Sequence, residues 1–174
     1  MNEMTNKIAS GLERAFAAQG FAEPSVEDLR DAAGVSLRTL YKYAPSRDAM
    51  IRLALEHRHQ RYLIHVFGDP AGSTLQSMSK TLDRVADWMR IEASHGCLFH
   101  AAVASAPNDP HLRMLLEQHK AEVSQMAVAM AGTDVSTSDL MVIIEGLTQS
   151  WPLSKEAALT SAKRLAHLAE AVPV

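Results

Sequence analysis

Apolar residues recur every three or four positions along most of the chain, and no stretch alternates as a half-buried strand would. Ile8, Leu12, Ala15 and Phe16 fall at i, i+4, i+7 and i+8 and predict a first helix ending near Gly20. Pro24-Ser25 opens a second, with Ser25 as N-cap, Asp28 three residues on, a buried stripe of Val26, Leu29 and Ala33, and Gly34 as the stop. Ser36 caps a short third helix running to about Tyr43. Pro45-Ser46 ends it and caps a fourth, from Arg47 to about His65. Gly68-Asp69-Pro70-Ala71-Gly72 is the strongest loop signal and the main division of the chain. Beyond it Leu75, Met78, Leu82, Val85 and Met89 predict a helix to about Ala93, followed by a short one around Cys97–Ser105. Pro107-Asn108-Asp109-Pro110 then introduces a long helix through Leu112, Leu115, Leu116, Val123, Met126 and Met130, ending at Gly132. Val135–Ser150 and Lys155–Val172 predict a final pair separated by Trp151-Pro152. The expected fold class is all-α, with about nine helices.

Composition narrows the function classes. The 174 residues suit one domain, or a small domain with a companion, and 47% hydrophobic with 21% charged residues excludes a disordered chain. The single cysteine, Cys97, excludes a disulfide framework and a four-cysteine zinc site. Met1–Ala18 carries Glu3, Lys7, Glu13 and Arg14 and has no apolar signal core, and no apolar run reaches the ~18–20 residues of a membrane span. A cytoplasmic protein without membrane attachment is expected. No glycine-rich phosphate loop, nucleophile elbow or His-Glu-x-x-His motif is present, so no enzyme activity is expected. His57 and His59 would lie roughly 200° apart on a helix, and His111 and His119 two turns apart, which argues against a metal site. No cofactor is expected either.

The net charge of −3 is unevenly distributed. Residues 1–67 hold nine Lys/Arg against eight Asp/Glu, and residues 68–174 hold eight against twelve. Within Ser36–His65 six basic residues (Arg38, Lys42, Arg47, Arg52, Arg58 and Arg61) face only Asp48 and Glu56. A local basic stretch on a neutral-to-acidic body is a DNA binder's distribution. The second and third helices, joined at Gly34, have the spacing of a helix-turn-helix. At about 100° per residue, Leu37, Arg38, Tyr41 and Lys42 share one face of the third helix, while Leu40 points to the opposite side. Arg and Lys can both donate to guanine acceptors in the major groove. Arg47, just inside the next helix, lies where free backbone N–H groups already favour a phosphate.

Ala15-Phe16-Ala17-Ala18-Gln19-Gly20-Phe21, Ser25-Val26, Ala32-Ala33-Gly34-Val35-Ser36, Thr39-Leu40-Tyr41-Lys42-Tyr43 and Pro45-Ser46-Arg47-Asp48-Ala49 together resemble the TetR family of bacterial transcriptional regulators, in register over about residues 8–56. Gly96-Cys97-Leu98-Phe99 is similar to the start of that family's sixth helix. Two positions depart from the family pattern: Arg30, where a small residue is common, and Ala44, where many relatives carry Phe. The resemblance implies a DNA-binding domain over residues 1–48, linked by the helix at about 47–65 to a helical effector-binding and dimerisation domain over residues 49–174. It implies repression relieved by a small-molecule effector, and an apolar one is expected here. Carried over by position, Ser25, Ser36, Tyr43 and Arg47 become phosphate or flanking contacts, and Leu37, Arg38, Tyr41 and Lys42 recognition-helix contacts with double-stranded operator DNA.

Homodimerisation through the last two helices is expected, with Leu140, Ile143, Ile144 and Leu147 forming one apolar stripe and Leu159, Ala162, Leu165 and Ala169 another. The same stripes could instead pack within one chain. Large apolar residues of the body, Trp88, Met89, Phe99, Met114, Met126 and Trp151, are candidates to line an effector pocket, with His100 and His119 as polar anchors. Each could equally be ordinary core. Cys97 is a candidate redox residue or a plain buried side chain. The alternative to a ligand-responsive repressor on a palindromic operator is a helical interaction protein of the same fold that acts through a protein partner.

Overall fold

The computed structural model describes residues 2–68, 77–131 and 135–171, which form nine α-helices and no strand. The all-helical class expected from periodicity is the one observed. Of the Gly68–Gly72 loop only Gly68 is among the described residues; Leu75, Gly132 and Val172 also lie outside them.

Two compact units are present. The first comprises residues up to Arg61 together with Leu98–Leu116. It contains α1 (Glu3–Gln19), α2 (Val26–Ala33), α3 (Leu37–Tyr43), the first part of α4 (Arg47–Phe67), α6 (Leu98–Ser105) and the start of α7 (Pro110–Ala131). Ile8, Leu12, Phe16, Leu29, Leu40, Met50 and Leu55 are all fully buried in it, and the Phe16 and Phe21 rings stack at 5.0 Å. Helix boundaries follow local chemistry. The Asn2 side chain accepts from the Thr5 N–H at the start of α1. Gly34 adopts a left-handed conformation (φ 63°) after α2, and its N–H donates to the Arg30 and Asp31 carbonyls.

The second unit comprises Tyr62–Cys97 and the residues from Glu117 onward. It holds the end of α4, α5 (Met78–Ile91), the rest of α7, α8 (Thr137–Ser154) and α9 (Glu156–Ala171). Its core gathers Val66, Met78, Leu82, Val85, Met89, Leu140, Ile144, Leu147 and Trp151. Trp151-Pro152 does not separate α8 from α9, as the sequence pattern suggests; both residues lie inside α8. Pro152 lacks only the one N–H that would have bonded the Thr148 carbonyl, and just two helical residues follow it, so the last turn survives. The break falls at Lys155, which takes a positive φ of 43° while its N–H still bonds the Trp151 carbonyl.

Candidate nucleic-acid interface

The helix-turn-helix is built by caps on both sides of its turn. Ser25 Oγ accepts from the Asp28 N–H at 3.1 Å and donates to Asp28 Oδ2 at 2.6 Å, and the same carboxylate accepts from the Ser25 N–H. These hydrogen bonds, from the Ser25 hydroxyl first and its backbone second, hold the Asp28 carboxyl below the usual carboxylate range. Ser36 Oγ accepts from the Thr39 N–H and starts α3. Two cations of α1 hold the carbonyls at the turn: Lys7 Nζ donates to Gly34 O at 2.9 Å, and Arg14 Nη2 to Ala32 O at 3.2 Å.

On α3 the expected division of faces is observed. Leu40 is fully buried, Arg38, Tyr41 and Lys42 are exposed, and Leu37 and Tyr43 are half-buried. Among the described residues no hydrogen bond or ion pair within the chain engages Arg38, Tyr41 or Lys42; the Lys42 ammonium lies 5.7 Å from the Tyr43 ring centre. Ser25 and Ser36 are exposed but occupied as caps. Of the two departures from the family pattern, Arg30 pairs with Asp31 and Ala44 is fully buried.

Arg47 is placed differently from a simple phosphate contact. Its Nη1 donates to the Pro24 carbonyl at 2.8 Å and its Nη2 to the Phe21 carbonyl at 2.6 Å, with the guanidinium carbon 5.9 Å from the Phe16 ring centre. The basic stretch therefore does not form one surface. Arg58 is buried and, with Arg61 and His57, converges on Glu13 of α1. The Glu13 side chain is 2% exposed and receives His57 Nδ1 at 2.5 Å, Arg58 Nη1 at 3.0 Å and Arg61 Nη1 at 2.8 Å. Nothing local in the sequence announces this cluster, because its partners lie 44 to 48 residues from Glu13.

The candidate effector residues divide between the two units. In the second, Trp88, Met89 and Trp151 are buried in the core and Met126 packs against it, while His119 is buried beside Tyr62. In the first, Phe99 is buried, and His100 and Met114 are exposed. The proposed dimer stripe is also resolved: Leu140, Ile143, Ile144 and Leu147 are buried within the second unit's own core. Val142, Leu153, Leu165 and Leu168 carry the exposed apolar surface of α8 and α9 instead. Among the described residues no helix is long and apolar enough to cross a membrane.

Comparison with known proteins places this geometry. A family model described as bacterial regulatory proteins, tetR family, matches residues 8–54. No curated protein sequence matches the chain. Among solved structures, a TetR-family transcriptional regulator from Streptomyces coelicolor aligns over 97% of this chain and 95% of its own, with a TM-score of 0.73 and 18% identity. A structure from Rhodococcus sp. described as a putative TetR-family transcriptional regulator covers 97% of this chain and 100% of its own, with a TM-score of 0.73 and 22% identity. GusR of Salmonella enterica covers 97% and 96%, with a TM-score of 0.69 and 21% identity. Residues 8–54 thus belong to the bacterial regulatory proteins of the tetR family, and the chain around them has the all-helical fold of TetR-family regulators.

Proposed function

We propose that the chain is a ligand-responsive homodimeric repressor that binds a palindromic operator. The observation that carries this reading is the α3 face: Arg38, Tyr41 and Lys42 stand exposed with no hydrogen bond or ion pair among the described residues, on a helix fixed from below by the buried Leu40 and from its end by Ser36. Side chains left free of internal partners on a helix one turn long on either side of its anchor suit base edges in the major groove. The caps and the Lys7 and Arg14 contacts hold the reading helix in place without using its outer face. Two heads reading half-sites about 34–36 Å apart require a dimer. An effector that favours a conformation with different head spacing lowers operator affinity by its differential affinity for that state.

The test is selection of bound sequences from a random double-stranded DNA pool at about 0.15 M salt, where nonspecific phosphate attraction is moderated. Enrichment of a palindrome, lost or relaxed at defined positions in Lys42→Ala, supports the reading. A lost bidentate or equivalent base contact should cost about 1–3 kcal/mol of discrimination. A folded dimer that enriches no sequence overturns operator binding by the free protein and favours a protein partner for the α3 face.

A further inference from the structure

Four ionisable side chains of the first unit converge on one point of its interior. The Glu13 side chain of α1 is 2% exposed, Arg58 4% and His57 8%, with Arg61 closing the outer side at 38%. Both carboxylate oxygens are engaged: Oε2 by His57 Nδ1, and Oε1 by Arg58 Nη1 and Arg61 Nη1. Apolar residues of similar volume would hold two helices together as well, because desolvating buried charges offsets much of their attraction. What the charges add is direction. Apolar contact tolerates sliding and rotation, whereas three donors aimed at one carboxylate admit a single axial and rotational setting of α4 on α1.

That setting matters because of what each helix carries. α1 holds the turn before α3, through Lys7 on the Gly34 carbonyl and Arg14, the neighbour of Glu13, on the Ala32 carbonyl. α4 continues past Arg61 into the second unit. Arg47 ties the first turn of α4 to the Phe21 and Pro24 carbonyls. The Glu13 cluster joins α4 ten to fourteen residues farther on, about 15–21 Å along the helix. Two attachments that far apart fix the direction of α4 as well as its position. No member of the cluster belongs to α3, so it takes no part in reading bases. We propose that Glu13, with His57, Arg58 and Arg61, is the positioning group that sets the half-site spacing the protein accepts. It fixes the angle at which the head leaves α4, and with it the distance and rotation between the two reading helices of a dimer. One base pair added between half-sites shifts them by about 3.4 Å and turns them by about 34°, so a small change in that angle is a change of operator. The inference rests on the repressor reading above.

The test measures binding of the full-length protein to the palindrome enriched from the random pool, and to versions with one base pair inserted or removed between the half-sites. The unaltered protein should lose on the order of a hundredfold in affinity when the spacing changes, because the second head no longer engages together with the first. Glu13→Met combined with Arg58→Met replaces the buried pair by apolar side chains and should keep the helicity and melting temperature. In that variant the loss on changing the spacing should shrink to about tenfold or less, while the base preferred at each half-site position stays the same. A purely structural role would lower affinity by one factor at every spacing. Arg61→Lys, at the exposed edge of the cluster, keeps the charge and loses the planar fork. It should fold like the unaltered protein and give an intermediate spacing penalty, so it decides the matter if the double variant does not fold. Equal affinity of the unaltered protein at all spacings overturns the positioning role and leaves operator binding standing. So does a folded variant with an undiminished spacing penalty, or one whose base preferences change along with its spacing. An unaltered protein that selects no palindrome overturns the repressor reading, and the spacing inference with it.

Discussion

Arg47 separates positioning from reading at the scale of one side chain. Its place at a helix start invites a phosphate, and its fork instead closes on the Phe21 and Pro24 carbonyls, tying the α1–α2 connection to the first turn of α4. Hydrogen bonds from a charged donor are worth about 1.5–3 kcal/mol. Arg47→Ala should therefore lower the melting temperature and weaken operator binding, yet leave the dependence of log affinity on log salt unchanged. Titrations at several salt concentrations check this. A slope reduced by about one would place the guanidinium on a phosphate after all. Lys42→Ala should behave in the opposite way, with unaltered stability and altered sequence preference. The distinction was not available from sequence, because a residue type and its helix position say nothing about which carbonyls a neighbouring loop presents. Glu13 carries the same lesson. A glutamate on an amphipathic helix reads as solvent-facing, and here it is buried against His57, Arg58 and Arg61 of α4.

Among the elements, what was legible was what local chemistry decides. The Ser25–Asp28 capping box, the Gly34 turn, the Ser36 cap and the inward Leu40 all follow from residues within one turn of each other, and all are observed. Features set by packing were not legible. Pro152 reads as a helix stop, but near a C-terminus it forfeits a single bond, and the positive φ at Lys155 ends α8 instead. Gly11, unremarked in a helical run, lies at a close approach of α1 to α2. A Cβ there would lie 2.3 Å from the Ala32 carbonyl oxygen and 2.5 Å from the Ala33 Cα. Both are backbone atoms, so relief requires moving a helix. Gly11→Ala gains about 1 kcal/mol of helix propensity, while overpacking of this kind typically costs about 1–3 kcal/mol and more when backbone must shift. The variant should be net destabilised in urea unfolding. Because α2 carries the turn before α3, it should also bind operator more weakly than its loss of stability alone accounts for. An unaltered unfolding midpoint would mean that α1 and α2 approach less closely than this.

At the scale of the whole molecule, the proposed homodimer raises the question of which surface would pair two chains. The periodic stripe on α8 cannot, since Leu140, Ile143, Ile144 and Leu147 already fill the second unit's core against α5 and α9. Sequence periodicity finds the most apolar face of a helix, and that face is the one a chain buries in itself. The outer surface is less conspicuous: Val142 at 69% and Leu165 at 52% exposed flank a groove that also includes Gly146, Ser150 and Ser161. Gly146 is informative because a Cβ there would meet nothing within 4 Å of its own chain. A mid-helix glycine costs about 1 kcal/mol relative to alanine, and no contact among the described residues requires it; the close approach of a symmetry mate's helix would. Leu165→Asp places an unpaired charge on that surface while disturbing little of the protomer. It should sediment as a monomer with unchanged helicity. Operator affinity should fall by about 10²–10⁴, the advantage that linking two half-site readers confers, with binding to nonspecific DNA much less affected. A Leu165→Asp protein that stays dimeric by sedimentation would move the interface off the α8–α9 face and leave the glycine at 146 without a structural reason.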